Sequence, residues 1–207
     1  MAYSIGRSVK TVFDAETTII GVGRPGGPNS DVVYRRRPTA EVDSGELVAI
    51  RELLHTAFGD NFTQEDWDHA LGGVHVTAHI GSELVGHGAV VSRQFVHGER
   101  VLRTGYVEAV AVHPDHHSAG IGRGLMGNIE DLIDDAYDLG ALSATGSALT
   151  FYKHLGWEPW AGPTHVSGPN GVIPTPDDDG AVFVRRVDST LPLTGPLICD
   201  WREGDVW

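Results

Sequence analysis

The stretch of residues 106–140 constrains the fold more than any other part of the chain, and it reads YVEAVAVHPDHHSAGIGRGLMGNIEDLIDDAYDLG. Residues 106–112 are compact, apolar and rich in valine, which is typical of a buried strand, and Pro114 stops that strand. From Gly120 the apolar residues change to a helical period, and Gly140 is predicted to end that helix. The apolar helix positions are Ile121, Leu125, Ile129, Leu132, Ile133 and Ala136.

The turn between this strand and this helix carries glycines at positions 120, 122 and 124. The first amides of a helix have no partner within the helix and carry partial positive charge, so a strand–glycine turn–helix unit favours an anion site. Glycine lets a phosphate approach the backbone, and Arg123 adds a possible charge-assisted contact. Ordinary helix–sheet packing explains the same residues equally well, since the pattern is neither GxxxxGK[ST] nor GxGxxG.

The charge of the chain is strongly negative, with 28 acids, 15 bases and a formal net charge of −13. Residues 1–40 carry six Lys or Arg against three acids, so the remaining residues carry 9 bases and 25 acids. A body of this charge is expected to repel nucleic acid and anionic membranes and to attract small cations. Simple solubility is the alternative explanation.

The single cysteine, Cys199, excludes an intrachain disulfide and suits a reducing compartment. The sequence has no apolar run of about 18 residues and no signal-peptide pattern at its start. We therefore expect a cytoplasmic protein without a membrane partner.

The remaining elements predict an α+β fold of 207 residues in one domain. Helices are expected after the capping residues Asp43 and Thr63. Strands are expected at 74–80, 83–96, 141–144 and 182–187, with Gly86 and Gly88 at a possible bulge, and a further helix ends near Leu155. Residues 162–180 are expected to form a Gly/Pro-rich loop. Residues 1–38 are assigned to a partly disordered extension with one strand near residues 17–22, and residues 39–207 to the domain.

The segment VAVHPD, followed by HSAGIG and a helix, resembles the acetyl-CoA signature of the GNAT acetyltransferases, Q/R-x-x-G-x-G/A. His117 stands where that signature has Gln or Arg. The segments FTQEDWDHALGG, GYVEAVAV, GWEPWAGPT, TPDDDG and CDWREGDVW resemble the aminoglycoside 2′-N-acetyltransferases of mycobacteria and related actinobacteria. The resemblance covers roughly residues 39–207 and implies the GNAT fold, a mixed and mostly antiparallel central sheet flanked by helices.

The resemblance implies that acetyl-CoA is the cofactor and that the strand end and the turn bind it. The pantetheine arm would pair with the backbone of the strand as an added strand does, and the pyrophosphate would lie on the amides of the turn. The residues implied are Val110, Ala111, Val112, His117, Ser118, Ala119, Gly120, Ile121, Gly122 and Arg123.

Two residues are the candidates for acid–base chemistry. Glu108 is a carboxylate among valines, where burial is expected to raise its pKa and suit it to take a proton from an amine, directly or through water. Its alternative role is to anchor a substrate cation. Tyr152 falls where GNAT enzymes place the residue that protonates the CoA sulfur, and it is otherwise a packing tyrosine.

An aminoglycoside is a rigid polycation, so its site needs several acceptors. The family's substrate aspartate falls at Asn61, with Asp60 beside it, and the C-terminal carboxylate is a further candidate. The candidate substrate residues are Asp60, Asn61, Glu108, Ala109, Ser143, Asp178, Asp205 and Trp207.

Eleven histidines raise the question of a metal, but no cysteine or carboxylate joins them at ligand spacing, so no metal is expected. The predicted activity is direct acetyl transfer to the 2′-amine of an aminoglycoside in a ternary complex, which confers antibiotic resistance, by a GNAT enzyme that is expected to be a homodimer. Two alternatives stay open: a GNAT enzyme for another amine, such as a polyamine, a peptide or a protein lysine, and a protein that binds the drug or CoA without turnover.

Overall fold

A computed structural model describes residues 31–207, which form one mixed sheet with helices on its faces, as the α+β prediction requires. The helices are α1 (Ser44–Phe58), α2 (Gln64–Ala70), α3 (Ile121–Ala136) and α4 (Ala148–His154). The strands are β1 (Val32–Pro38), β2 (Val74–Ile80), β3 (Glu83–His97), β4 (Arg100–Val112), β5 (Leu139–Ser143), β6 (Glu158–Pro159), β7 (Thr164–Gly168), β8 (Gly171–Pro174), β9 (Val182–Arg186) and β10 (Leu197–Asp200).

The long strand β3 organises the sheet. Its first half pairs with β2 and its last residues pair with β10, while β4 runs antiparallel along its other edge. The order continues from β4 through β5 and β9 to β6, and from β10 through β7 to β8. Only the β4–β5 and β10–β7 pairings are parallel among those described, so the sheet is mixed and mostly antiparallel, as predicted.

Local sequence signals explain the first two helices. The side chain of Asp43 accepts a hydrogen bond from the amide of Glu46 at 3.0 Å, and Thr63 and Asp66 form a complete capping box before α2. Each cap satisfies an amide that the helix itself leaves without a partner. The predicted starts of both helices are therefore confirmed. Within residues 31–207, no helix is both long and apolar enough to cross a membrane.

The basic run at residues 35–37 was assigned to the extension, but it lies in β1, which pairs with β2 along its whole length. Arg36 contacts Asn128 and Asp131 on α3, and Arg37 forms an ion pair with Glu46 on α1. The partners of Arg36 lie 92 and 95 residues further along the chain and that of Arg37 lies 9 residues further, so the sequence does not show that these arginines are paired. The strand expected near residues 17–22 lies outside the described residues.

Two further expectations are wrong. Gly140 does not end the helix: α3 ends at Ala136, and Gly140 lies in β5, where a Cβ would press on Ile133. The predicted loop at 162–180 contains the hairpin of β7 and β8, and β10 was also missed. These short strands alternate weakly in sequence because Gly and Pro interrupt them, which hid their period.

Gly124 is required by packing. A Cβ at this position would collide with the phenol of Tyr34 on β1, whose hydroxyl donates to the carbonyl of Ile121 at 3.3 Å. We expect Gly124→Ala to lower the free energy of unfolding by about 1–3 kcal/mol, the cost of overpacking. Chemical denaturation measures this cost.

Gly127→Ala is the matched control, because its Cβ would meet nothing within 4 Å on the same helix. This change should stabilise the protein by up to about 1 kcal/mol, the usual gain of Ala over Gly in a helix. The cost of Gly124→Ala should disappear when Tyr34 is also Ala. If Gly124→Ala were as harmless as Gly127→Ala, the packing of β1 against α3 would be wrong.

Candidate functional site

Beyond Tyr106, β4 is no longer paired with its neighbour β5. The parallel pairing of the two strands joins Thr104 to Leu139 and ends at Tyr106 and Ala141, while β4 continues to Val112. On its other edge β4 stays paired with β3 as far as Val112. The strands β4 and β5 therefore diverge, and the backbone of β4 beyond Tyr106 borders the opening between them.

A β-bulge lies within this diverging end. Glu108 pairs with Ala89 and Ala111 with His87, so β4 has one residue more than β3 in this interval. Ala109 adopts φ 51°, a left-handed conformation that is rare for a residue other than glycine. The predicted bulge near Gly88 is confirmed, and its extra residue lies in β4.

The bulge changes which face each side chain occupies. Val107 and Val110 both pack in the core beneath α3, although residues three apart in a regular strand would face opposite sides. Ala109 and Ala111 pack instead against α1 and α2. The bulge therefore separates the part of β4 that carries Glu108 from the part whose backbone borders the opening.

The turn from β4 into α3 is exposed and contains two left-handed residues, Ser118 with φ 69° and Gly120 with φ 77°. His117 donates from its Nε2 to the carbonyl of Val112 at 3.1 Å, which ties the turn to the strand end. A left-handed residue before a helix aims successive amides outward, which suits an anion. Ala119, Gly122 and Arg123 are at least partly accessible there, whereas Ile121 is buried in the core.

Glu108 forms a buried ion pair that the sequence did not predict. Its Oε1 accepts from Nη1 of Arg202, and Glu108 is 3% exposed. Nε of Arg202 donates to the carbonyl of Asp205 at 2.6 Å, and its guanidinium lies 5.2 Å from the ring centroid of Tyr106. Burial lowers the pKa of Arg202, but the charge of Glu108, its hydrogen bond and the nearby Tyr106 and Asp205 together outweigh burial, so the net pKa is raised. The role of Glu108 as a base stays a prediction.

A second arginine fixes the C-terminal segment, residues 200–207, over this ion pair. Arg93 on β3 donates to the carboxylate of Asp200 at 2.8 Å, to its carbonyl at 2.6 Å and to the carbonyl of Val206 at 2.8 Å. On the other side, His69 of α2 contacts the carbonyl of Glu203 at 2.8 Å. The segment is therefore held by two elements and forms one wall of the site.

The fold brings Asp178 and Asp205 into the same region as Glu108. Both are buried, and each has a carboxylate oxygen, Oδ2, without a hydrogen-bond partner among the described residues. The pKa of Asp205 is raised to about 7, chiefly by burial and also by nearby Asp178, although the amide of Trp207 lowers it in part. Burial, with Asp177 and Asp179, raises the pKa of Asp178 to about 6.

Two other buried polar atoms lie in this region without a partner among the described residues: Nη2 of Arg202 and the hydroxyl of Tyr106. Buried polar groups in proteins are almost always hydrogen-bonded, so four such atoms together are expected to meet water or a ligand. The arrangement therefore offers carboxylate oxygens to a cation and a guanidinium nitrogen to a hydrogen-bond acceptor.

Trp207 is fully buried at the far end of this wall. Its ring lies edge-on to Phe95 with 5.2 Å between the ring centroids, and its Nε1 donates to Thr175 at 2.8 Å. Its amide donates to Asp205 at 3.3 Å. The last residue of the chain therefore connects the site with the core.

The other predicted residues lie in the core, at the end of a strand and on the surface. Tyr152 on α4 is buried in the core that contains Val110 and Val112, and Ser143 ends β5 opposite Val182. Asp60 and Asn61 form an exposed turn between α1 and α2, where the Asn61 amide donates to the carbonyl of Phe58 at 3.4 Å. Their roles stay predictions.

Several of the histidines form hydrogen bonds within the protein. Among residues 31–207, no group of three or more His, Cys, Asp or Glu side chains is arranged to hold a metal ion. His75 and His87 contact each other at 2.9 Å, and His113 accepts from the amide of Asp115 at 3.3 Å.

Asp205 gives the stability of the protein a predictable pH dependence. Its folded-state pKa of about 7 lies above its ordinary value of 3.8, so the folded state holds the proton more tightly than the unfolded state. The free energy of unfolding should therefore fall as the pH rises from about 4 to 7 and level off above 7. Asp205→Asn should remove this contribution, which urea unfolding at pH 5 to 8 would measure.

Glu203→Gln is the control, because Glu203 is exposed in the same C-terminal segment and this change leaves its backbone contact with His69 intact. It should keep the wild-type pH dependence. Parallel pH curves for wild type and Asp205→Asn would contradict the raised pKa.

Comparison with known proteins is consistent with this geometry. Residues 39–160 match a family model described as an acetyltransferase (GNAT) domain. An aminoglycoside 2′-N-acetyltransferase from Mycolicibacterium fortuitum is 42% identical over 173 residues, which cover 82% of this chain and 89% of that relative.

Solved structures share the fold at low sequence identity. The GNAT family N-acetyltransferase YhbS from Escherichia coli, in complex with CoA, has a TM-score of 0.60 and 16% identity and covers 84% of this chain and 91% of its own. Escherichia coli ElaA has a TM-score of 0.55 and 17% identity and covers 75% and 99%. A GCN5-related N-acetyltransferase from Kribbella flavida has a TM-score of 0.51 and 19% identity. The match covers 63% of this chain and 34% of that protein.

Proposed function

This chain belongs to the GNAT acetyltransferases, among the aminoglycoside 2′-N-acetyltransferases, and we propose that it transfers the acetyl group of acetyl-CoA to the 2′-amine of an aminoglycoside antibiotic. The observation that carries the proposal is the buried carboxylate of Glu108 on the diverging end of β4, in one region with Asp178 and Asp205. Acetylation of the amine would remove a positive charge from the drug and so confer resistance.

The residues present fit acetyl-CoA. The backbone of Val110, Ala111 and Val112 borders the opening between β4 and β5 and can pair with the amides of a pantetheine arm. The exposed turn with left-handed Ser118 and Gly120, followed by Gly122 and Arg123, can hold the pyrophosphate at the start of α3. The bound group supplies an activated acetyl thioester.

The amine must lose a proton before it can react. Glu108 accepts that proton, directly or through a water molecule, and the Arg202 guanidinium that contacts it holds the carboxylate in place. Asp178 and Asp205 bind neighbouring ammonium groups of the drug, and their unpartnered oxygens are available for this. Asp60, Asn61, Ser143 and Trp207 are further contacts that the family resemblance implies.

Tyr152 is proposed to donate a proton to the departing thiolate, and no residue of the chain forms an acetyl-enzyme. The single cysteine, Cys199, is fully buried, donates to the carbonyl of Val206 at 3.4 Å, and burial raises its pKa to about 12. A thiol in this state is a poor nucleophile. Direct attack of the amine in a ternary complex is therefore the mechanism we propose.

Release of CoA thiol tests the function. Gentamicin and tobramycin should be acetylated, whereas amikacin and kanamycin, which lack a 2′-amine, should not. Equal rates on both sets would contradict the 2′ assignment. Turnover of a polyamine or a lysine peptide but of no aminoglycoside would indicate another GNAT activity, and tight drug binding without thiol release would indicate a sequestering protein.

We also propose a homodimer in the cytoplasm. The edge strand β8 is exposed along its length and carries the apolar residues Val172 and Ile173, which supports pairing through a sheet edge. Light scattering on the purified protein would show the mass of a dimer, and a monomer at all concentrations would contradict this proposal.

A further inference from the structure

A chain of four hydrogen bonds runs through the interior from the start of β2 to the bulge of β4. The amide of Gly72 donates to the Thr39 hydroxyl at 3.0 Å, and this hydroxyl lies 2.8 Å from Nε2 of His75. Nδ1 of His75 lies 2.9 Å from Nε2 of His87, and Nδ1 of His87 lies 2.9 Å from the carbonyl oxygen of Ala109. None of these contacts was expected from the sequence.

The direction of every bond in this chain follows from the last one. A carbonyl oxygen only accepts, so His87 must carry its proton on Nδ1. His87 is fully buried and burial lowers its pKa to about 3, so the ring is neutral and its Nε2 accepts. His75 must then donate from Nδ1.

The same logic fixes the start of the chain. Burial lowers the pKa of His75, although the carboxylate of Glu46 raises it in part and Arg37 lowers it again. The ring is therefore neutral, its Nε2 accepts, and the Thr39 hydroxyl donates to it in preference to the carbonyl of Gly73, which lies 3.2 Å away. We call Thr39, His75 and His87 the histidine relay.

The relay ends at Ala109, which lies between the proposed base and the strand segment proposed to bind acetyl-CoA. Ala109 directly follows Glu108, which takes the proton, and directly precedes Val110, whose backbone borders the acetyl-CoA opening. A left-handed alanine in a strand is strained and persists only where the surroundings hold it. The bond from His87 is a buried contact that holds this carbonyl.

We propose that the histidine relay is a positioning device for the transfer reaction: by holding the Ala109 carbonyl, His87 sets the offset between the Glu108 carboxylate and the strand that presents the acetyl group. This inference rests on the proposed function, because the offset matters only if both groups act in one reaction. Misplacement of reacting groups by about 1 Å can cost as much as 10²-fold in rate.

The tautomers test the relay without any substrate. Long-range ¹H–¹⁵N NMR spectra distinguish the Nδ1–H from the Nε2–H form of a neutral ring, and free histidine favours Nε2–H. We expect both His75 and His87 to show the rarer Nδ1–H form at pH 6 to 8, with signals assigned by loss in single variants. An Nε2–H form or a charged ring at either residue would overturn the relay, whatever reaction the protein performs.

Kinetics test the positioning role. His87→Leu should lower kcat about tenfold or more while the KM for the drug changes little, because the drug-binding carboxylates are untouched. His87→Asn places an amide donor near the Nδ1 position and should restore most of the lost kcat. The matched control is His79→Leu, since His79 on β2 is also buried but contacts Thr77 at 3.0 Å and Glu46 at 3.6 Å, outside the relay.

Equal losses of kcat in His87→Leu and His79→Leu, or no rescue by His87→Asn, would refute the positioning role. If His87→Leu does not fold, the comparison of His87→Asn with wild type and the NMR tautomers still decide it. Wild-type inactivity on every aminoglycoside would refute the proposed function but leave the relay testable by its tautomers.

Discussion

Glu108→Gln is expected to lower kcat for acetyl transfer by about 10²–10⁴-fold, the usual contribution of a general base. Gln keeps the size of the side chain but cannot take the proton of the amine. The loss should be greatest below neutral pH, where more of the substrate amine is protonated. Rates of thiol release from pH 6 to 9 measure the effect, and an unchanged pH–rate profile would exclude Glu108 as the base.

The ion pair with Arg202 complicates this experiment in a predictable way. Removal of one partner of a buried pair leaves the other charge uncompensated, at a typical cost of about 3–5 kcal/mol in stability. The double variant Glu108→Gln/Arg202→Gln removes both charges and should recover most of that stability. If activity returned with stability, the effect of Glu108→Gln would be structural; persistent inactivity in a stable double variant supports proton transfer.

Arg202 shows which part of the site the sequence could predict. The resemblance placed the C-terminal segment in the site, and its carboxylates, including Asp205, were selected as partners for a cationic drug. Arg202 is absent from the predicted site residues because a cation is unexpected where a cationic drug binds. The available signal was a lone arginine among the acids of CDWREGDVW, but its contact with Glu108 joins residues 94 apart in sequence and appears only in the fold.

The strand β4 and helix α3 were predictable because the local period of their apolar residues encodes them. The histidine relay was not, because neutral rings leave no charge pattern and the contact between His75 and His87 forms only when β2 and β3 pair. The strand β1 was missed for a related reason. Two of its three arginines, Arg36 and Arg37, form ion pairs with side chains of α3 and α1, so a run that looks cationic in sequence is largely paired in the fold.

Trp207 is expected to support both the fold and the drug site. Trp207→Ala removes a fully buried indole, its edge-on contact with Phe95 and its bond to Thr175, so the free energy of unfolding should fall by about 3–5 kcal/mol. Urea unfolding measures this loss. Trp201→Ala is the control, because Trp201 is 40% exposed in the same segment, and we expect a change within about 0.5 kcal/mol.

Deletion of Val206 and Trp207 should go further, since it also removes the carbonyl that anchors Arg93 and the amide that contacts Asp205. Drug affinity should fall much more than CoA affinity, because the diverging strand and the turn before α3 do not include these residues. Calorimetric titration with tobramycin and with CoA separates the two affinities. Trp207→Phe keeps an aromatic ring against Phe95 and provides a folded variant if the deletion is unstable. Equal losses for both ligands would mean that the C-terminal segment supports the whole domain and does not belong specifically to the drug site.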